Sequence, residues 1–182
     1  MPDYFGILPK ADLVVRRVEA FREHDGAAQH YFASTPDGSR PGIYYAHLSD
    51  MFAMPRPELE VIAYHEGLPG HHMQIAIAKE LQGIPEFRKN ASITTFSEGW
   101  GLYAERFAKE IPGTYKTQLS EFGRLNSELW RAVRLVVDTG LHAMDWPEEQ
   151  AFDFMMANAS LAVPAARSEI RRYIVMSVQA PA

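Results

Sequence analysis

The chain of 182 residues contains no cysteine. This absence excludes disulfide bonds, thiolate metal ligands and cysteine nucleophiles, so any bound metal ion must be held by His, Asp or Glu side chains. It does not indicate a compartment, because a cysteine-free chain is equally suited to the cytosol and the periplasm.

Long runs of like charge and long apolar segments are also lacking. The formal net charge is -5 and the 18 Lys and Arg residues are scattered along the chain, which argues against a nucleic-acid partner. No apolar segment reaches the roughly 20 residues that a membrane-spanning helix needs. The N-terminus has no basic segment followed by an apolar one, the pattern typical of a signal peptide. We therefore predict neither a nucleic-acid partner nor a membrane span.

The length and the hydrophobic content of 47% predict a single domain over residues 1–182, because this length supports one sizeable core and is short for two. Near the N-terminus, stretches rich in β-branched and aromatic residues predict two or three strands of a small antiparallel sheet, at 13–18, 28–34 and 42–48.

From Pro57 onward the spacing of apolar residues is helical. It predicts a long helix ending at Gly83 and interrupted at Pro69-Gly70, and a second helix at 97–111 with Ser97 as its cap. Three more helices are predicted, at 117–144, after Pro147 and after Pro164. The predicted fold class is α+β, dominated by helices, with the small antiparallel sheet near the N-terminus.

A candidate metal site begins at residues 65–72, which read His-Glu-Gly-Leu-Pro-Gly-His-His. In the HExxH pattern of zinc peptidases, two histidines four residues apart share a helix face and the Glu faces the bound water. Here Pro69 occupies the fourth position after His65, so the strict pattern fails. Because Pro69 cannot donate a hydrogen bond to the His65 carbonyl, the helix must kink or bulge and the usual spacing no longer applies.

Two histidines are available as the second ligand. In an uninterrupted helix, His72 would lie about 10 Å along the axis from His65, too far to share one ion. His71 directly follows Gly70 and is the preferred ligand. His72 remains the alternative, because the geometry of the break is not readable from the sequence.

Glu98, at the start of the next predicted helix, is the candidate third ligand. A His, His, Glu set leaves one position open for water, which is typical of catalytic rather than structural zinc. Glu105 lies seven residues later on the same helix face, where it is placed to orient a ligating imidazole. The alternatives are a structural polar cluster and, for Glu98, a simple preference of acidic residues for the first turn of a helix.

A second polar line lies in the third long helix, where Arg131, Asp138 and His142 share one face and Arg134 lies beside it among apolar residues. The functional interpretation is an active-site wall: Asp138 orients His142, and an arginine binds a substrate carboxylate or the developing oxyanion. The alternative is a structural ladder of salt bridges. Tyr173 is a candidate oxyanion donor or, equally, an ordinary amphipathic residue at a helix surface.

The chain resembles the bacterial domain-of-unknown-function 885 proteins, which are placed among the zincin-like metallopeptidases. The stretches that carry the resemblance are RPGIYYAHL at 40–48, YHEGLPGHHMQ at 64–74, FSEGWGLYAERFA at 96–108, LWRAVRLVVDTGLHAMDW at 129–146 and EIRRYIV at 169–175. The resemblance implies a zinc peptidase-like fold in which His65, Glu66, His71-His72 and Glu98 match the family's motif positions. It also implies that the chain is the C-terminal catalytic part of a longer protein, without a helical N-terminal part and the last helices. Family members are often exported, some as lipoproteins.

These observations predict a zinc-dependent hydrolase, with a peptide or a small amide as its substrate. Glu66 is the expected general base, which takes a proton from the zinc-activated water and delivers it to the leaving amine. His142 and Tyr173 are further catalytic candidates. The rival from another class is a non-catalytic module that binds metal or peptide without turnover.

Overall fold

The computed structural model describes residues 1–24, 27–52 and 54–180. The chain divides into two compact units. The first comprises residues 1–18, 29–46 and 62–114, and the second comprises residues 19–28, 47–61 and 115–182. The prediction of a single domain over 1–182 stays a prediction.

The first unit contains a sheet of three strands, β1 (Leu13–Arg17), β2 (His30–Phe32) and β3 (Gly42–Ala46). β3 is central, in the order β1-β3-β2. β1 pairs with β3 in parallel and β2 pairs with β3 antiparallel. Val18, Ile43 and Tyr45 are buried together on this sheet and form the small core of the unit.

The three strands lie within the predicted stretches, but the prediction of an antiparallel sheet is wrong, because the sheet is mixed. A parallel pair requires a crossover connection of a dozen or more residues. Residues 18–41 provide such a connection between β1 and β3 and also contain β2. The pattern of apolar residues within a strand does not report its direction, which depends on this long connection.

Four helices follow: α1 (Leu59–Glu66), whose residues 62–66 belong to the first unit, α2 (His71–Glu80), α3 (Glu86–Asn90) and α4 (Thr94–Phe107). The predicted break in the first long helix is present between α1 and α2, whereas the short α3 was not predicted. The prediction of Ser97 as a helix cap is wrong. α4 begins three residues earlier with extended Ile93 at its N-cap, and the Ser97 amide bonds to the Ile93 carbonyl inside the helix.

The second unit is built from α5 (Gln118–Ala143), α6 (Glu148–Asn158) and α7 (Val163–Val175). Thr117 caps α5 by accepting a hydrogen bond from the Ser120 amide, in a reciprocal capping box. Pro164 lies in the first turn of α7, where its missing N–H costs no helical hydrogen bond. Residues of all three helices form one buried core, which includes Val137, Met155 and Ile170.

The fold is therefore α+β and dominated by helices, as the sequence predicts, with a small mixed sheet. Among the described residues, no helix is both long and apolar enough to cross a membrane.

Candidate metal centre

The candidate centre is built on the break between α1 and α2. α1 ends at Glu66 and α2 begins at His71, with Gly70 as its N-cap. Only glycine fits at position 70, because a Cβ atom there would lie 1.9 Å from the His65 carbonyl oxygen. Trp100 on α4 donates a hydrogen bond from its indole Nε1 to the Pro69 carbonyl at 2.8 Å. The close approach at Gly70 and the Trp100 bond thus hold the connecting segment in place.

The break brings His65 and His71 face to edge. Their ring centroids are 4.6 Å apart at an interplanar angle of 81°. One oxygen of Glu98, Oε2, lies 3.4 Å from Nε2 of His65, and the other, Oε1, lies 3.8 Å from Nε2 of His71. Both histidines are buried and Glu98 is partly buried. One ligand atom from each of the three residues lies within 4.8 Å of the other two.

This donor set fits a zinc ion. Two imidazole nitrogens and a carboxylate oxygen are common zinc ligands, and donors about 2.1 Å from a tetrahedral ion lie about 3.4 Å from one another. The separations of 3.4 and 3.8 Å between Glu98 and the two histidines are close to that value. Three protein ligands leave a fourth position for water or substrate.

Glu105 orients the first histidine. One of its carboxylate oxygens lies 2.7 Å from Nδ1 of His65, and the side chain is almost completely buried. Because a carboxylate accepts, Nδ1 donates its proton to Glu105, and Nε2 keeps its lone pair toward Glu98. The contact is of the kind predicted for Glu105, and the imidazole it orients is that of His65.

Helix α4 also makes room for His65. A Cβ atom at Gly101 would lie 2.5 Å from Cε1 of His65, so the ring packs directly against the α4 backbone. Glu98, Gly101 and Glu105 are spaced three and four residues apart and therefore share one helix face. This face of α4 supplies a candidate ligand, the space for a ring and the acceptor that orients it.

His72 does not belong to the donor set. Its Nε2 lies 3.0 Å from the Ala11 carbonyl and its Nδ1 lies 3.1 Å from the Tyr31 hydroxyl. A carbonyl only accepts, so Nε2 carries the proton and Nδ1 accepts from Tyr31. Both nitrogens of His72 are thus engaged, and the three side chains that converge as candidate ligands are His65, His71 and Glu98.

Glu66, the candidate general base, is the last residue of α1 and is buried. It lies close enough to Tyr44 on β3 to affect that phenol electrostatically. Burial, and secondarily the negative charge of Glu66, raise the pKa of Tyr44 to about 12. Tyr44 therefore stays protonated at neutral pH.

The candidate residues of α5 lie in the second unit. His142 donates from Nε2 to the Tyr173 carbonyl at 2.9 Å, and Asp138 accepts from the Val178 amide at 3.3 Å. The predicted contact in which Asp138 orients His142 is therefore absent, because each has a different partner. Arg131 donates to the Ser127 hydroxyl at 3.1 Å and lies over the Trp130 ring.

Tyr173 and Arg134 are buried among the same helices. Tyr173 is fully buried and donates its hydroxyl proton to Glu169 at 2.7 Å. Burial, together with the charge of Glu169, raises the pKa of Tyr173. This hydroxyl is thus committed to Glu169, unlike a free oxyanion donor. Arg134 lies over the rings of both Trp130 and Tyr173.

Sequence reasoning missed several residues that shape the candidate centre. Gly101 and Trp100 belong to the stretch 96–108, which carries part of the family resemblance. Their contacts with His65 and Pro69 depend on how α4 packs. Tyr31 lies in a predicted strand, and nothing in the sequence links it to His72. Pairings so distant along the chain leave no local signal.

Comparison with known proteins places these features in a family. The chain is similar to a solved structure, "the putative lipoprotein from Colwellia psychrerythraea", with 39% sequence identity and a TM-score of 0.93. The match covers 97% of this chain and 30% of that chain, so the present chain spans less than a third of the relative's length. No curated protein matches the chain. The family described as bacterial protein of unknown function (DUF885) matches residues 1–182 in full, and the chain therefore belongs to that family.

Proposed function

We propose that this chain carries the metal centre of a zinc-dependent hydrolase that cleaves peptide or related amide bonds. The observation that supports the proposal is the convergence of His65, His71 and Glu98 across a break in the helix. A helix broken at Pro69-Gly70, with two imidazoles beside a carboxylate, forfeits helical hydrogen bonds. A loss of local stability of this kind is expected at functional sites.

The residues around the centre have distinct roles in this proposal. His65, His71 and Glu98 would hold the ion, which supplies polarisation of the scissile carbonyl and a bound water whose pKa is lowered toward about 7. Glu66 accepts a proton from the attacking water and passes it to the leaving amine. Glu105 holds the His65 ring so that Nε2 points at the donor set.

The proposal extends to the setting of the enzyme. The similar solved chain is described as a lipoprotein, which agrees with the export implied by the family resemblance. We propose that the protein acts after export, on peptides outside the cytoplasm. The relationship to the zincin-like peptidases is part of the same proposal, and the donor set of two histidines and a glutamate supports it.

The test separates metal binding from turnover. The purified chain is analysed for metal by mass spectrometry and incubated with a mixed peptide library, whose products are also identified by mass spectrometry. Glu66→Gln keeps the shape of the side chain but cannot accept a proton, so it is expected to retain zinc and lose hydrolysis. Glu110→Gln makes the same chemical change at an exposed position and serves as the matched control.

Each outcome has a clear meaning. Zinc bound without hydrolysis by the unmodified chain favours the non-catalytic module that binds metal or peptide. Near-normal turnover in Glu66→Gln assigns the general base to another residue. Absence of zinc, with the fold intact by circular dichroism, contradicts the proposed centre itself.

A further inference from the structure

The second unit contains a buried cation that forms no ion pair with any of the residues that the structure describes. Arg134 on α5 is only 7% exposed. It makes no hydrogen bond and no ion pair with any residue in the described ranges, and its Nε atom is fully buried. Removing a guanidinium from water without pairing it is costly, because the charge loses its hydration. A buried arginine without a partner therefore requires an explanation.

The neighbours of Arg134 are aromatic. Its guanidinium carbon lies 5.6 Å from the centroid of the Trp130 ring and 5.3 Å from that of the Tyr173 ring. Such cation–π contacts attract the charge but offer the N–H groups no strong acceptor. Burial is the main cause that lowers the pKa of Arg134, and the positive charges of Arg131 and Arg172 lower it further, whereas Tyr173 and Glu169 partly oppose this shift. An arginine nevertheless stays protonated, so its positive charge remains in this environment.

The nearby carboxylates of the described residues form no ion pair with Arg134. Both oxygens of Glu169 accept from Arg172, and one of them also accepts from the Tyr173 hydroxyl. Asp138 is one helical turn from Arg134 but forms no ion pair with it. Its Oδ1 accepts from the Val178 amide, and its Oδ2 is buried without a hydrogen-bond partner among the described residues. The described residues around Arg134 therefore form no hydrogen-bonded ion pair with its guanidinium, although Glu169 attracts its charge at longer range.

We propose that Arg134 binds a carboxylate ligand. The planar fork of a guanidinium matches the two oxygens of a carboxylate, and such bidentate bonds are stronger than bonds between neutral groups. The Trp130 and Tyr173 rings hold the fork in one orientation, so little conformational entropy is lost on binding. This second site goes beyond the proposed hydrolase and rests only on residues of the second unit, so it stands whether or not zinc binds.

The experiment observes the arginine directly. In the 15N-labelled chain of 182 residues, the Nε–H signal of Arg134 is identified as the one lost in Arg134→Lys and retained in Arg167→Lys. Arg167 is the matched control, because its two terminal nitrogens are already paired with Glu149 at 2.7 Å. The probes are acetate, glycylglycine, glycylglycine amide and chloride, all at one ionic strength.

Acetate and glycylglycine are expected to shift the Arg134 signal saturably, whereas the amide and chloride leave it in place. Binding of acetate, followed by calorimetry, should weaken about tenfold or more in Arg134→Lys, which keeps the charge but loses the fork. It should be unchanged in Arg167→Lys. The proposal is overturned if no probe shifts the signal of the unmodified chain, or if chloride and the amide shift it as much as the carboxylates do. Where Arg134→Lys fails to fold, the Nε–H signal of Arg134 is assigned instead by triple-resonance experiments on the doubly labelled unmodified chain, and its response to the probes decides the matter.

Discussion

Substitution of Gly101 by alanine tests whether the packing of α4 against His65 controls metal binding. The added Cβ would lie 2.5 Å from Cε1 of the His65 ring, whereas unstrained carbon contacts are about 3.5 Å or longer. The ring must therefore move by about 1 Å. Such a shift breaks its 2.7 Å contact with Glu105 and displaces Nε2 from the other two donors. Because functional groups must be held within about 0.5 Å, we expect zinc affinity to fall about 100-fold, or about 2.7 kcal/mol.

The control for this substitution lies on the same helix. A Cβ at Gly99 would meet no atom within 4 Å, so Gly99→Ala adds helix propensity without a clash and is expected to stabilise the fold by about 0.5–1 kcal/mol. Zinc affinity is measured by competition with a chromophoric chelator, and metal-free stability by urea unfolding. Equal zinc affinities of the Gly101→Ala and Gly99→Ala variants would refute the reasoning, because the two changes differ only in the contact with His65.

Three further substitutions address the centre and the fold. His65→Ala is expected to abolish stoichiometric zinc binding, since a site of three protein ligands tolerates the loss of one imidazole badly; full occupancy by metal analysis would remove His65 from the site. Glu105→Gln should reduce zinc affinity about 10–100-fold in the same chelator assay, because the amide is a weaker acceptor for His65, and an unchanged affinity would assign Glu105 a purely structural role. Thr117→Ala removes the cap of α5 and should lower the free energy of unfolding by about 1 kcal/mol, without any change in zinc affinity.

Local chemistry determines which parts of the fold could be predicted. The end of α1 before Pro69 and the start of α5 at Thr117 follow from residues within a few positions of each boundary, and both were predicted to within a few residues. The pairing of β1 with β3 depends instead on the path of residues 18–41. The start of α4 was misplaced because Ser97 is a good cap, whereas extended Ile93 forms the boundary without one. Prediction from neighbouring residues fails where contacts between residues distant in sequence determine the structure.

In the candidate centre, too, some features depend on neighbouring residues and others depend on contacts distant in sequence. Pro69 made the break in the helix predictable, because a proline removes one hydrogen bond whatever surrounds it. The choice between His71 and His72 required the structure, since it depends on what each ring meets. His72 is held by the Ala11 carbonyl and by Tyr31, from segments well before it in the chain, and these contacts leave its neighbour to face His65. Two bonds to His72 thus leave His71 as the histidine that faces His65. Substitution at Tyr31 is therefore expected to lower the zinc affinity measured by chelator competition without changing any of the candidate ligands, and an unchanged affinity would contradict this role of Tyr31.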